Sequence, residues 1–497
     1  MSSLNQPRNH RTPASLLSND RSLVAVLDIG KTNAKLVVAD PRSGEQIWSR
    51  ASSNQPLAGA PYLAIDATAI EAFVLAALRD AACRAKIGVI VPVAHGACAA
   101  LVTAEGLALP VMDYEEPALE DVAETYRALR DPFAETGSAF LPFGLNLGRQ
   151  LYFLETRFPA QFAAARHLLL WPQYWAWRLC GALTSEVTAI GCHTDLWRPM
   201  SASFSALAER HGWARLVPPL RPAGAVIGAI TRSVAAQTGL DPSTAVLAGI
   251  HDSNASFLRH RLAHRPGEPF VVVSSGTWTV ILAAGGCAAP LDEARDCLLN
   301  VDALGEPIPT ARFMGGREYA VIAGENPSTP TAADLEAVLA AGAVAWPCFT
   351  ATGGPFQGRI GRIEGAEGFG GATRTALAIL YCALVADVSL DLLGSRGPIV
   401  VEGPFADNPL FGALLAAFRP TQLVSLSHDR AGTVGGALAL VASEQAFSPR
   451  LTRCSPLLSP QLALYRRAWR ARVELAQHTS TAPESPITPS KTPAERP

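Results

Sequence analysis

LVAVLDIGKTNAKLVVAD, residues 23–40, is the stretch on which the fold turns. The apolar run LVAVLDIG (23–30) stops at a glycine, NAKLVVAD (33–40) resumes at once, and a PRSG turn leads into EQIWSR (45–50). That pattern predicts strand, tight turn, strand, turn, strand. Gly30 frees the backbone to turn sharply, so the N–H groups of Lys31, Thr32 and Asn33 can converge on one anion. Asp28, at the strand end, is placed to hold Mg²⁺ through water. The stretch is not GxxxxGK[ST] and no helix follows it, so a phosphate here would sit on a hairpin turn and not on a helix N-terminus. An ordinary hairpin with polar turn residues has the same letters, and the stretch alone does not separate the two.

The layout returns about half a chain later in FVVVSSGTWTVILAA (270–284), with Gly276 in the place of Gly30, which suggests a duplicated core. Ser275, Gly276 and Thr277 offer hydroxyls and backbone donors with no carboxylate, a set suited to the terminal phosphate of a nucleotide. Two such turns facing each other would grip a triphosphate. Between them, TAVLAGIHDSNASFLRH predicts a strand over 245–250, then His251 and Asp252, then a helix. A carboxylate at a strand's C-terminal end is well placed to take the proton of an attacking hydroxyl, and phosphoryl transfer asks for its position more than for base strength. The plainer alternative is that Asp252 only caps the helix. His95 and Gly96, after the strand 87–93, and Asp113, Tyr114 and Glu115, after ALPVM, could donate to or accept from sugar hydroxyls, although a lone histidine is more often structural. Trp171, Tyr174, Trp175 and Trp177 are spaced for packing.

Bulk properties agree with a globular protein that takes a small or neutral ligand. At 497 residues the chain exceeds one hydrophobic core, so two domains around a cleft are expected. Hydrophobic residues at 49% and charged ones at 17% place it among globular proteins. The 41 Lys and Arg against 43 Asp and Glu give no field to draw nucleic acid or an anionic membrane, and a homodimer is left open. Nine cysteines without CxxC pairs predict reduced thiols, and the N-terminal stretch lacks an apolar core for export, so a cytoplasmic protein is expected. Helical periodicity at 69–85, a strand in KIGVIVPVA, a helix at 372–393, the strand GPIVVEG, a helix at 409–418 and the strand QLVSLS make both halves α/β. The expected division is a disordered 1–20, an N-terminal domain at 21–262 binding sugar and phosphate, a nucleotide-binding domain at 263–445, a helical segment at 446–477 and a disordered tail at 478–497.

In that order and spacing, VLDIGKTNAKL, AGIHDS, VVSSGTWTV and the late segment AGTVGGALALVA resemble the FGGY carbohydrate kinases over about residues 22–445. SSGTW after an HDS segment is most similar to the branch acting on rhamnulose and fuculose. The resemblance implies two actin-like domains, each a mixed sheet flanked by helices, with ATP, Mg²⁺ and a ketose or polyol meeting in the cleft at an early step of carbohydrate catabolism. It makes Asp252 the general base, assigns Asp28, Gly30 and Thr32 to metal and phosphate, and matches Gly276 and Thr277 to the second phosphate turn. The sequence departs from the family in two places. Its glycine-rich adenine loop reads Glu402-Gly403-Pro404-Phe405-Ala406-Asp407-Asn408, keeping Gly403 and Asn408, and the added bulk is expected to narrow the adenine pocket. The usual WxDxR sugar segment is replaced around Pro110–Glu115. The segment Arg312–Glu318 stands out without a role. An ATPase on the same scaffold, or a sugar sensor without catalysis, are the alternatives.

Overall fold

The computed structural model describes residues 22–265, 267–285, 290–351, 353–428, 432–442 and 450–479. The expected disordered N-terminus and nearly all of the expected C-terminal tail lie outside these residues, as does Cys287; the last helix runs to Thr479. The eight described cysteines are all free thiols.

Period-two apolar patterning builds the first sheet. Strands β1 (Leu23–Ile29), β2 (Asn33–Ala39) and β3 (Gln46–Ser53) form an antiparallel meander, and β4 (Ile87–Ala94) joins β1 in parallel. Beyond β4 come β5 (Val226–Ala229) and β6 (Ala245–Leu247), in the order β5-β6-β4-β1-β2-β3, while the two-residue β7 (Ile250–His251) also pairs with β4. Alternation along β1 sends Ala25, Leu27 and Ile29 to one face, against helices α1 (Ala67–Ala82) and α2 (Trp171–Cys180), and Val24 and Val26 to the other. With both faces covered, the central strands can be apolar throughout. Trp171, Tyr174 and Trp175 pack in this core, as their spacing suggests, with Trp171 stacked on Tyr174 at 5.1 Å.

The second sheet repeats the first. Strands β8 (Phe270–Ser275) and β9 (Thr279–Ala284) make the second glycine-turn hairpin, followed by β10 (Cys297–Val301) and β11 (Pro307–Phe313), then β12 (Ile399–Glu402), β13 (Val424–Ser427) and β14 (Leu451–Arg453). Their order is β10-β11-β9-β8-β12-β13-β14. Superposing β8 on β1 puts β9, β11, β12, β13 and β14 where β2, β3, β4, β6 and β5 stand, with every pairing of the same sense. The segment expected to be purely helical after residue 445 therefore also supplies an edge strand.

Helices α4 (Gly315–Ala323), α5 (Gly371–Leu392) and α6 (Pro409–Phe418) are among those that pack beside this sheet. Helix α5 has the length and hydropathy of a membrane span, but 89% of its most apolar window is buried in the fold, which makes it a core helix. Between the two sheets lies α3 (Asp252–Leu262), with Ala255 and Leu258 in the first core and Phe257 against Phe270 of the second. Helix α7 (Gly432–Ala439) presses on it so closely that a side chain at Gly436 would come within 1.6 Å of the Ala255 carbonyl oxygen. The site depends on where α3 begins.

Candidate active site

Strand register gathers the first group of residues. In β1 and β7, which flank β4 and run parallel to it, Asp28 and Ile250 both lie level with Val93. The C-terminal ends of three parallel strands therefore deliver Asp28, His95 and the His251–Asp252 pair to one spot, the usual place for a site in such sheets. The Asp28 carboxyl is pushed up to about 7, first by burial and then by the nearby Asp252 charge, with Lys35, its cross-strand neighbour on β2, pulling the other way. Two carboxylates held this close favour a cation between or beside them.

Asp252 is not the helix cap. His251 takes that place, and Asp252 is the first helical residue, its Oδ1 accepting from the Ser253 N–H at 2.6 Å and lying 3.4 Å from His251 Nε2. His251 is buried, its N–H donates to Thr188 Oγ1 at 3.1 Å, and its Nε2 lies 3.7 Å from Cys192 Sγ. Burial alone would lower the His251 imidazole, but Cys192 and Asp252 outweigh it and hold it above its ordinary value. Gly96 is required here, since a Cβ would stand 2.7 Å from His251 Nε2.

The first turn closes through Gly30 N–H to the Asn33 carbonyl at 2.9 Å, and Asn54, which sequence reasoning missed, braces it by donating to the Gly30 carbonyl at 2.9 Å. Thr32 and Asn33 are at the exposed tip, their side chains bonded at 3.0 Å. The Lys31 side chain turns away from the tip of the turn: its ammonium bonds Asp113, lies 3.4 Å from Glu115 and sits 4.4 Å over the Tyr114 ring. The structure thus brings Lys31, His95, Asp113 and Tyr114 together.

The second turn is locked to the loop after β12. The Ser275 hydroxyl donates to the Glu402 carbonyl at 2.6 Å and accepts from the Phe405 N–H at 2.9 Å, so it braces backbone instead of standing free for phosphate as expected. Gly403 has φ +77°, and a Cβ there would meet the Ser275 carbonyl oxygen at 2.0 Å. Asn408 accepts from the Leu410 N–H at 3.1 Å as the cap of α6. Phe405 is 5% exposed, stacks on Phe411 at 4.6 Å and forms part of the wall of the expected adenine region. A cavity of about 530 Å³ remains, lined by Gly276, Thr277, Gly316, Arg317, Tyr319, Pro404 and Asn408 among others. A smaller one of about 220 Å³, lined by Ser253, Gly276 and Glu402, lies between the start of α3 and the second turn.

The unexplained segment Arg312–Glu318 finds its roles here. Arg312 bonds Asp296 at 2.9 Å and lies 4.9 Å over the ring of Trp278, fixing the second turn. Gly315 and Gly316 let α4 begin against that turn: a Cβ at Gly316 would be 2.3 Å from the Gly276 carbonyl oxygen. Arg317 is exposed on the cavity and has no ion pair among the described residues. Glu318 is buried and accepts from Tyr381 and, at 3.0 Å, from Thr350. A longer sequence pattern would not have shown this, because the contacts cross from helix to turn.

Twin mixed sheets of matching strand order, each carrying a glycine-turn hairpin, with Asp28 and Asp252 at the ends of parallel strands of the first, define a two-domain actin-like phosphotransferase scaffold. Residues 134–258 match the family described as "FGGY family of carbohydrate kinases, N-terminal domain", and residues 267–449 match "Carbohydrate kinase FGGY, C-terminal domain". The crystal structure of a carbohydrate kinase from Novosphingobium aromaticivorans is 39% identical and superposes with a TM-score of 0.84 over 92% of this chain and 99% of that one. A xylulose kinase from Rhodospirillum rubrum, 20% identical, shares the fold at a TM-score of 0.74 over 92% of this chain and 98% of its own. L-fuculokinase from Salmonella typhi is 26% identical over 280 residues, 54% of this chain and 57% of that relative's length. The chain belongs to the FGGY carbohydrate kinases.

Proposed function

We propose that the protein transfers the terminal phosphoryl group of ATP to a hydroxyl of a small ketose or related polyol. The observation that carries this reading is the meeting of Asp28 and Asp252 at the ends of strands flanking β4, next to a cavity that Ser253 shares with Gly276 of the second turn. Asp252 accepts the proton of the sugar hydroxyl as its oxygen bonds to phosphorus and the bond from phosphorus to the ADP oxygen breaks. His251, held above its ordinary pKa, lies 3.4 Å from Asp252 Oδ1 and orients that carboxylate. Backbone N–H groups around Gly30 and Gly276, with Arg317, receive the phosphates. The nucleoside lies in the 530 Å³ cavity beside Tyr319 and Asn408.

Among the described residues no group of three or more His, Cys, Asp or Glu side chains could hold a metal alone. The half-buried, raised Asp28 beside Asp252 nevertheless fits Mg²⁺, which water and phosphate oxygens would complete. Bound there, Mg²⁺ would neutralise charge on the phosphates. In this reading residues 21–262 carry the sugar and residues 263–445 the nucleotide, and closure of the cleft excludes water that would otherwise take the phosphoryl group.

The partial match to L-fuculokinase supports a deoxyketose among the first sugars to try. ADP release by the purified protein with MgATP is to be followed across ketoses, aldoses and polyols with a no-sugar control. Release dependent on one sugar is the expected result; equal release without sugar would make the protein an ATPase.

A further inference from the structure

We propose that the side chain of Lys31 serves the sugar and not the phosphate: with Asp113 its ammonium forms a donor–acceptor pair that reads two neighbouring hydroxyls of a neutral acceptor. The inference rests on the kinase reading above. Lys31 belongs by sequence to the first turn, yet every contact of its ammonium is on the segment Asp113–Glu115. That segment is fixed. Asp113 N–H donates to the Leu63 carbonyl at 3.0 Å, and its Oδ1 accepts from both Lys31 and the Glu115 N–H, the latter at 2.9 Å. Asp113 Oδ2 takes no hydrogen bond among the described residues, so it is available to a ligand.

A second observation points the same way. His95 is 8% exposed, and its Nδ1 lies 2.8 Å from the Gly96 carbonyl oxygen, which makes Nδ1 the protonated nitrogen and leaves Nε2 a buried acceptor without a partner. Its ring meets that of Tyr114 edge-on at 6.0 Å, so His95 and Lys31 border the same tyrosine. A buried acceptor left open beside a carboxylate and an ammonium fits a polyhydroxyl ligand, whose groups both donate and accept. An ammonium drawn across to the phosphate would instead leave the largely buried Asp113 without its cation, which is costly. Asp113, Glu115 and Asp252 outnumber Lys31 and the raised His251, so an anionic sugar acid would be disfavoured against a neutral diol.

Steady-state kinetics on Lys31→Met and Lys31→Arg, with the best sugar of the panel, separate the two roles. The expected result for Lys31→Met is a rise of about 10- to 100-fold in KM for the sugar, from loss of charge-assisted hydrogen bonding, with KM for MgATP within about threefold of wild type. Lys31→Arg should recover most of the sugar affinity. An analogue lacking one of the two hydroxyls should lose affinity for wild type and lose little more for Lys31→Met. A rise in KM for MgATP with an unchanged sugar KM overturns the inference while leaving the kinase intact. Should wild type turn over no sugar, the kinase reading has failed, and melting shifts then decide this point alone. Lys31→Met abolishing the shift given by MgATP overturns it; abolishing the shift given by xylulose supports it.

Discussion

Removing the charge at Asp28 should stabilise the fold while disabling it. In the free protein the Asp28 carboxyl is pushed from 3.8 to about 7 by burial and by Asp252. A displacement of roughly three units corresponds to about 4 kcal/mol of cost for keeping the group ionised. The sign follows from the direction of the shift. Below pH 3.8 the acid is neutral folded or unfolded and costs nothing; between 3.8 and about 7 the unfolded chain ionises first and stability is lost; above about 7 the cost is complete. Asp28→Asn removes the charge at similar volume. Its advantage over wild type should be absent near pH 4, grow through pH 6, and reach on the order of 2–4 kcal/mol at pH 8 in the absence of Mg²⁺ and nucleotide. Urea unfolding followed by tryptophan fluorescence suits the measurement, because Trp171 and Trp175 are buried in the core beside β1. Equal stability at pH 8, or an advantage already complete at pH 4, would refute the placement of Asp28 as a half-buried carboxylate pressed by a second one. The same variant should lose phosphoryl transfer.

The other expectations concern turnover. Asp252→Asn should lower kcat by about 10²- to 10⁴-fold with a KM for MgATP near wild type, and wild-type turnover would remove the base assignment. For the wild type, kcat/KM for MgATP should fall as pH drops below about 7, when Asp28 takes up a proton, and a flat profile from pH 5 to 8 would contradict its metal role. Gly316→Ala places a methyl 2.3 Å from the Gly276 carbonyl oxygen, where only backbone can yield, so α4 must move off the turn. We expect KM for MgATP to rise about tenfold or more with melting of the first half unchanged, and unaltered nucleotide kinetics would show that the turn is not a phosphate site.

How much was legible in the sequence follows from which interactions are local. The two hairpins could be read because a strand's period and a glycine turn lie within a few residues of each other, and Gly30 and Gly276 occupy equivalent turns. Asp252 could be read as following a strand, since its position depends only on that strand's end. What could not be read are side chains whose partners lie far along the chain. Lys31 looked like a phosphate ligand because its neighbours in sequence are turn residues, whereas Asp113 lies 82 residues away. Ser275 looked free because the groups that occupy its hydroxyl belong to residues 402 and 405. The bulk of the loop after β12 could be read as size without direction, and its direction comes from Phe411, on which Phe405 stacks while it also borders the cavity.

The loop Glu402–Asn408 shows the same limit at the level of the whole site. Read as letters, Glu402 is an addition to a glycine-rich segment; in the fold its Oε2 accepts from Arg259 at 2.8 Å and lies 3.0 Å from His260 Nε2, both from α3. Burial would raise this carboxyl, but His260 and Arg259 outweigh it and hold it down at about 2, so it stays charged at any working pH. The helix that carries Asp252 at its first turn is thereby fastened at its last turn to the residue preceding Gly403. Breaking one partner of such a buried group typically costs about 3–5 kcal/mol, far more than a surface ion pair contributes. Ser275 extends the tie from the Glu402 carbonyl to the second turn. The general base and the second turn are therefore held in one frame by α3, and their separation is set by a helix length and not by loops, which is the rigidity that in-line transfer between two bound substrates demands.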